Sequence, residues 1–327
     1  MVLTILRRGA QSVLLFWLVV SLTFLLTRLA PGDPTELLIA PTASREDIVR
    51  LRASFGLDQP LPAQYAQWLR RVATGDLGTS FATSERVADV LRRSLPVSLA
   101  LGGVSLLLTF VIGVTVGLWQ AARRGRMADT AASIAGIAVF AAPSYWISLA
   151  LVALFTYGAA RWGWPAWLRL PAMGMESPGG SYTGWARVTD VVRHAVLPVA
   201  VLTAIGAAGI ARYARAAAID LTGSDWVRTA RAKGLRARAV MRRHVLANAR
   251  APLIVLFALS LPGTIAGSVF VESVFAWPGM GRTMLSSIAA RDYPVVMGAT
   301  LVYAAMVIVA NWLSDLALEW SDPRRRR

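Results

Sequence analysis

Six stretches of this 327-residue chain contain no Asp, Glu, Lys or Arg: 9–27, 94–122, 130–160, 194–211, 251–271 and 293–314. A helix needs about 20 apolar residues to span ~30 Å of hydrocarbon, and each window is close to that length. One charge at the centre of such a helix costs about 3 kcal/mol on insertion scales, which gives the clearing of charge a physical cause. Charged residues make up 16% of the chain, against roughly a quarter in soluble domains. The expected fold class is therefore all-α, a polytopic membrane protein with six transmembrane helices. The shortest window, 194–211, starts at His194, and snorkelling Arg193 and Arg212 extend its ends.

Arg7 and Arg8 ahead of the first apolar run resemble a signal peptide. Cleavage after Ala30 would place Arg28 at −3 and Pro31 at +1, so an uncleaved first helix over 1–30 is expected. Six crossings put both termini on one side, together with 123–129 and 212–250. That side holds 19 of the 34 basic residues and six of the 18 acids, leaving only +3 of the formal +16 net charge to the other. The positive-inside rule then makes both termini cytoplasmic and the 31–93 loop extracytoplasmic. Lys233 is the only Lys, and there is no Cys, which removes disulfides, thiolate zinc sites and iron–sulfur clusters.

The 31–93 loop carries helical patterns. Ser44 and Asp47 resemble a capping box ahead of Ile48, Leu51 and Phe55. Tyr65, Trp68, Leu69 and Val72 share a helical face that Gly75 ends, and a third short helix is expected over 84–91. The loop reads as a cap on the membrane surface, as a docking surface for an external partner, or as both. The 158–192 loop, with Trp162, Trp164 and Trp167, suits an interfacial aromatic belt. Gly113 and Gly117 form a small-xxx-small pair, and Pro143, Pro198 and Pro262 fall in or near spans.

The most informative stretch is 219–252, too long for a simple turn. Ser224 or Asp225 can cap a helix running to about Lys233, Gly234 permits a sharp turn, and a second helix can start near Arg236. The basic charge follows from the positive-inside rule, but the small Ala230, Ala232 and Gly234 do not. A helix–Gly–helix element on the cytoplasmic side suits a lever or a docking surface.

Here the sequence resembles the membrane subunits of binding-protein-dependent ABC importers, of the oligopeptide/dipeptide permease type. Residues 225–235, DWVRTARAKGL, are similar to that subfamily's coupling-loop signature. Arg228, Thr229 and Ala230 stand at the Glu-Ala-Ala places of the general pattern, and Gly234 is its Gly. Further matches follow in order at 28–34, 56–61, 75–80, His244 with Asn248 and Pro252, 271–275, 277–281, 291–294 and 322–324. The resemblance implies a type I importer permease fold, with a helical extracytoplasmic loop (31–93) ahead of a five-helix core (94–327). It implies a coupling loop in which Asp225, Arg228, Thr229, Ala230, Arg231, Ala232, Lys233, Gly234 and His244 meet a cytosolic ATPase. It also implies a second homologous permease, two ATPase subunits, an extracytoplasmic solute-binding protein and a place in the bacterial inner membrane.

The chain has no GxxxxGK[ST] loop, so ATP is expected on the partners and no cofactor, enzymatic activity or nucleic-acid binding on this chain. His194 and His244 fall on opposite sides and cannot share a metal. Glu272 at the outer end of the fifth span, and Asn311 and Asp315 near the inner end of the sixth, are expected as structural or pathway polar residues. The cargo implied is a short peptide, with nickel chelates, glutathione or another small solute as alternatives. A secondary transporter would need ion-binding groups at mid-membrane, where these spans carry no acid.

Overall fold

The computed structural model of the protein describes residues 2–29, 46, 58–180, 182–266 and 269–321. Among them there is no named strand, only an isolated bridge between Thr79 and Arg86. The helices are α1 Val2–Leu29, α2 Leu61–Ala73, α3 Val87–Ala122, α4 Met127–Ala141, α5 Ser144–Val152 and α6 Gly184–Thr222. They continue as α7 Asp225–Ala232, α8 Ala237–Val240, α9 Leu246–Ala266, α10 Val269–Val274, α11 Met280–Ala289 and α12 Tyr293–Ser321.

Five stretches are long and apolar enough to cross a membrane: Arg7–Leu29, Val87–Ala122, Gly184–Thr222, Met241–Leu261 and Tyr293–Leu316. The sixth candidate is the pair α4 and α5, with α5 extended by a π-helical stretch Ala153–Gly158 into Ala159–Arg161. The pair bends by 103°. The charge-free window 130–160 is thus not one continuous helix. Proline disfavours the helical conformation in the residue before it and lacks an N–H to donate. Ala142 (φ −73°, ψ 136°) and Pro143 (φ −59°, ψ 135°) are accordingly extended.

Helix extents differ from the windows in a consistent direction. No separate helix forms over 84–91: Ser84 turns with φ 57°, and Val87 opens α3 itself. Likewise α6 starts at Gly184, inside the stretch expected as loop, and runs to Thr222. Missing charge marks the part of a helix in hydrocarbon, while the helix continues into water with its charges exposed. Ser44, Asp47, Ile48, Leu51 and Phe55 lie outside the described residues, as does 322–324.

The chain divides into two compact units, residues 1–97 with 279–308 and residues 98–278 with 309–327. In the first, the expected aromatic face of α2 packs on α1. The Phe24 and Trp68 rings stack at 5.5 Å, and the Ser21 and Tyr65 hydroxyls lie 2.6 Å apart. Val87, Leu91, Met280, Val295 and Ala299 form a separate core. Beside it Asp292, 2% exposed, accepts hydrogen bonds from Ser80 Oγ (2.5 Å) and the Phe81 N–H (3.0 Å).

The second unit is organised on a close approach of α3 to α6. A Cβ on Gly113 would lie 2.7 Å from Ile210 Cβ, and one on Gly117 would lie 2.5 Å from the Ala211 carbonyl oxygen. Gly206 meets Thr109 in the same way, at 2.8 Å. Small residues permit such packing where lipid supplies no hydrophobic drive between helices. Gly117→Leu should therefore lower the thermal midpoint of the purified protein in detergent by several degrees. Gly103→Leu, which meets nothing within 4 Å, should leave it within a degree or two. Equal effects of the two would contradict the seam.

Candidate functional site

The segment 223–245 is built on one short amphipathic helix, α7. Ser224 takes the extended N-cap conformation, and its carbonyl accepts from the Val227 (3.1 Å) and Arg228 (3.2 Å) N–H groups. Its side chain makes no cap bond. Asp225 lies in the first turn, where the helix dipole favours an acid. Val227 and Ala230, one turn apart, are buried at 0% and 5% exposure. They enter a core with Ala218, Val240 and Val245, against which Leu118, Ala121 and Leu221 pack. The inner face of α7 is thus seated on the ends of α3 and α6.

The helix ends as the sequence expects, and the reason is visible in the backbone. Gly234 has φ 80°. Its N–H bonds to the Arg231 carbonyl at 2.9 Å, and the Leu235 N–H reaches back to the Ala230 carbonyl at 3.4 Å. This is a Schellman stop, with Leu235 joining the core that holds Ala230. The second helix then begins near Arg236, whose carbonyl accepts from the Ala239 N–H at 2.8 Å.

Of the sequence-expected residues, Asp225, Arg228, Thr229, Arg231, Ala232, Lys233 and Gly234 are exposed and Ala230 is buried. Arg228 and Asp225 pair at 3.4 Å, but with 76% and 96% of their side chains exposed they contribute little to stability. Thr229 Oγ1 donates to the Asp225 carbonyl at 3.0 Å. His244 sits in a π-helical turn, its ring 6.4 Å from that of Trp226 on α7, and its carbonyl accepts from Asn248 Nδ2 at 2.7 Å. The structure therefore brings His244 to the helix. Among the described residues, α7 and the turns after it expose six basic side chains, Arg228, Arg231, Lys233, Arg236, Arg242 and Arg243, against the single acid Asp225.

The other polar candidates lie on α6, α10 and α12. Glu272, on α10, is fully buried and accepts from Ser98 Oγ at 2.6 Å. Asn311 is exposed on α12, and Asp315 is half-buried one turn further. His194 is buried, with Nδ1 2.8 Å from the Asp190 carbonyl oxygen. Among the described residues no group of acids and histidines is arranged to hold a metal.

One interaction near the α7 seat has no counterpart in the sequence reading. Arg215 of α6 makes a two-pronged pair with Asp129 of α4, Nε and a terminal nitrogen each 2.8 Å from a carboxylate oxygen. Asp129 is 2% exposed and also accepts the Gly125 N–H at 3.2 Å. Gln120 Nε2 donates to Ser133 Oγ at 3.1 Å beside it. The partners are 86 residues apart, so no local pattern reports them. A signal does exist: continuing α6 beyond 211 puts one Arg on a face otherwise made of Ala211, Ala214 and Ala218.

Residues 113–327 match the family described as "Binding-protein-dependent transport system inner membrane component", and residues 1–102 match the model of its N-terminal part. A putative peptide permease protein of Brucella ovis is 38% identical over 306 residues, covering 93% of this chain and 92% of that protein. The oligopeptide transport system permease protein AppB of Bacillus subtilis is 33% identical over 98% of both chains. Its counterpart OppB of Mycobacterium tuberculosis is 35% identical, also over 98% of both. Among solved structures, the inward-facing MetNI methionine ABC transporter aligns with a TM-score of 0.52 at 20% identity. It covers 71% of this chain and 96% of its own. At that identity the likeness shows the fold alone.

Removing one partner of a buried ion pair strands the other, whereas replacing both leaves no orphan. Arg215→Leu alone, which strands the buried Asp129, should lower the thermal midpoint clearly more than Asp129→Leu combined with Arg215→Leu. A double variant less stable than the single one would contradict a buried pair.

Proposed function

The chain belongs to the family of binding-protein-dependent transport system inner membrane components, and from that premise we propose that it is a permease subunit of an ATP-driven importer of short peptides. The peptide cargo is carried over from the names of relatives that match nearly the whole chain. The chain works with a second homologous permease, two cytosolic ATPase subunits and an extracytoplasmic solute-binding protein. Both termini lie in the cytoplasm, a reading supported by the concentration of basic residues in 123–126, 212–250 and the C-terminal tail.

In this reading α7 is the element that meets the ATPase. The observation that carries it is the two-sided construction of the helix. Val227 and Ala230 are buried against the ends of α3 and α6, while Arg228, Arg231 and Lys233 face outward. A short helix anchored in this way moves as a body, and a push on its outer face is passed to two spans together. Gly234 lets the chain leave the helix without unwinding it. Closure of the ATPase pair would thereby reorient the spans and exchange access between the two sides of the membrane. The basic outer face suits an acidic cleft, and association there weakens with salt.

Two measurements test this. In proteoliposomes containing the complete transporter, peptide uptake should stop when ATP is withheld. Uptake indifferent to ATP would overturn the importer reading. Gly234→Val should then separate hydrolysis from transport. A Cβ at Gly234 meets nothing within 4 Å, so the burden is the left-handed backbone, about 1–2 kcal/mol for an L residue. The expected result is ATP hydrolysis near the wild-type rate with peptide uptake reduced about tenfold. An unchanged number of peptides per ATP would count against the docking role of α7.

A further inference from the structure

A cavity of about 480 Å³ lies in the second unit, lined by Ser105 and Thr109 of α3, Gly206 of α6, Ser144 at the start of α5, and Ser260 and Gly263 of α9. Its volume is in the range of small-molecule sites, roughly 300–1,000 Å³. Ser105, Thr109, Ser144, Gly206, Ser260 and Gly263 each lie well inside their charge-free windows, which places this part of the lining near mid-membrane depth. The break in the α4–α5 span is part of its wall, since Ala142 and Ser144 both line it. Non-helical backbone at that depth is tolerated only where it is buried in protein or faces a water-filled space. Discontinuous helices at the midplane also mark the solute sites of other transporter classes.

The lining has a definite chemistry. It holds no charged side chain. Ser105 Oγ gives its proton to the Leu101 carbonyl at 2.7 Å, leaving its oxygen to accept. Thr109 is 6% exposed and lines the cavity, with no hydrogen bond from its hydroxyl among the described residues. A hydroxyl at a cavity wall with no protein partner is open to a group that enters the cavity. A passing N–H or C=O group supplies the missing bond. Among the described residues nothing lies within 4 Å of a Cβ added at Gly263.

We propose that this cavity is a mid-membrane station of the solute path, where Thr109 and Ser105 take neutral amide groups of a short peptide. The inference rests on the importer reading above and adds the place of passage. Hydroxyls without charge bind the peptide backbone, which all such cargo shares, and leave side chains and termini unselected.

The complete transporter in proteoliposomes tests it. Gly263→Phe places a large side chain at the cavity wall, where an added Cβ meets nothing within 4 Å among the described residues, so the chain should still co-purify with its partners while ATP-driven peptide uptake falls at least tenfold. Thr109→Val, which keeps the shape and removes the hydroxyl, should reduce uptake severalfold, and Thr109→Ser should retain it. The chain has no Cys, so Gly263→Cys gives one defined thiol on it. That thiol should react with a hydrophilic maleimide and react more slowly in the presence of transported peptide. Wild-type uptake by Gly263→Phe would overturn the station. So would a Gly263→Cys thiol that stays unreactive with and without ATP, or one whose labelling ignores peptide. A wild-type complex that imports no peptide would instead overturn the importer reading, a separate result.

Discussion

Between Thr109 and Ala121, α3 lies so close to α6 that a Cβ on Gly113 or Gly117 would overlap the facing helix. The other functional features of the second unit are arranged along this seam. Where the seam begins, Thr109 faces Gly206 at the cavity. At its end, Leu118 and Ala121 join Ala218 and Leu221 in the seat of α7. Between them Asp129 holds Arg215. A seam made from glycine and alanine leaves no slack, because packed interiors respond to displacement as blocks. In the proposed reading, movement applied at α7 is delivered along α3 and α6 toward the cavity.

The two buried ionisable sites in this unit serve different parts of it. The Asp129–Arg215 pair joins α4 to α6 close to the α7 seat. Glu272 binds Ser98 of α3 and accepts the Trp277 N–H at 2.8 Å through its own carbonyl, which orders the turn after α10. Neither stands in the cavity wall. The path proposed through the unit is consequently uncharged among the described residues.

How much of this was legible in the sequence depends on the range of the interactions. The α7 turn could be read because a helix stop is local: Gly234 and Leu235 close on Ala230 and Arg231 within six residues. The hydrocarbon-spanning portions could be read because each charge excluded from them carries a cost. Helix ends could not, since Arg92 and Arg93 are exposed yet helical in α3, and charge marks water rather than helix termination. The Asp129–Arg215 pair was hidden by its separation along the chain. The break at Ala142 was signalled by Pro143, but the cavity it borders depends on three other helices and appears only in the fold.

The central claim is that the exposed face of α7 is the surface an ATPase subunit engages. The absence of Cys makes a direct measurement possible. Arg231→Cys on α7 and Glu85→Cys, exposed in the first unit, would be treated separately with a short bifunctional thiol reagent in the assembled transporter. The account predicts that Arg231→Cys joins this chain to the ATPase subunit, with a yield that changes on ATP binding, and that Glu85→Cys does not. An ATPase crosslink at Glu85→Cys, or its absence at Arg231→Cys in every nucleotide state, would contradict it.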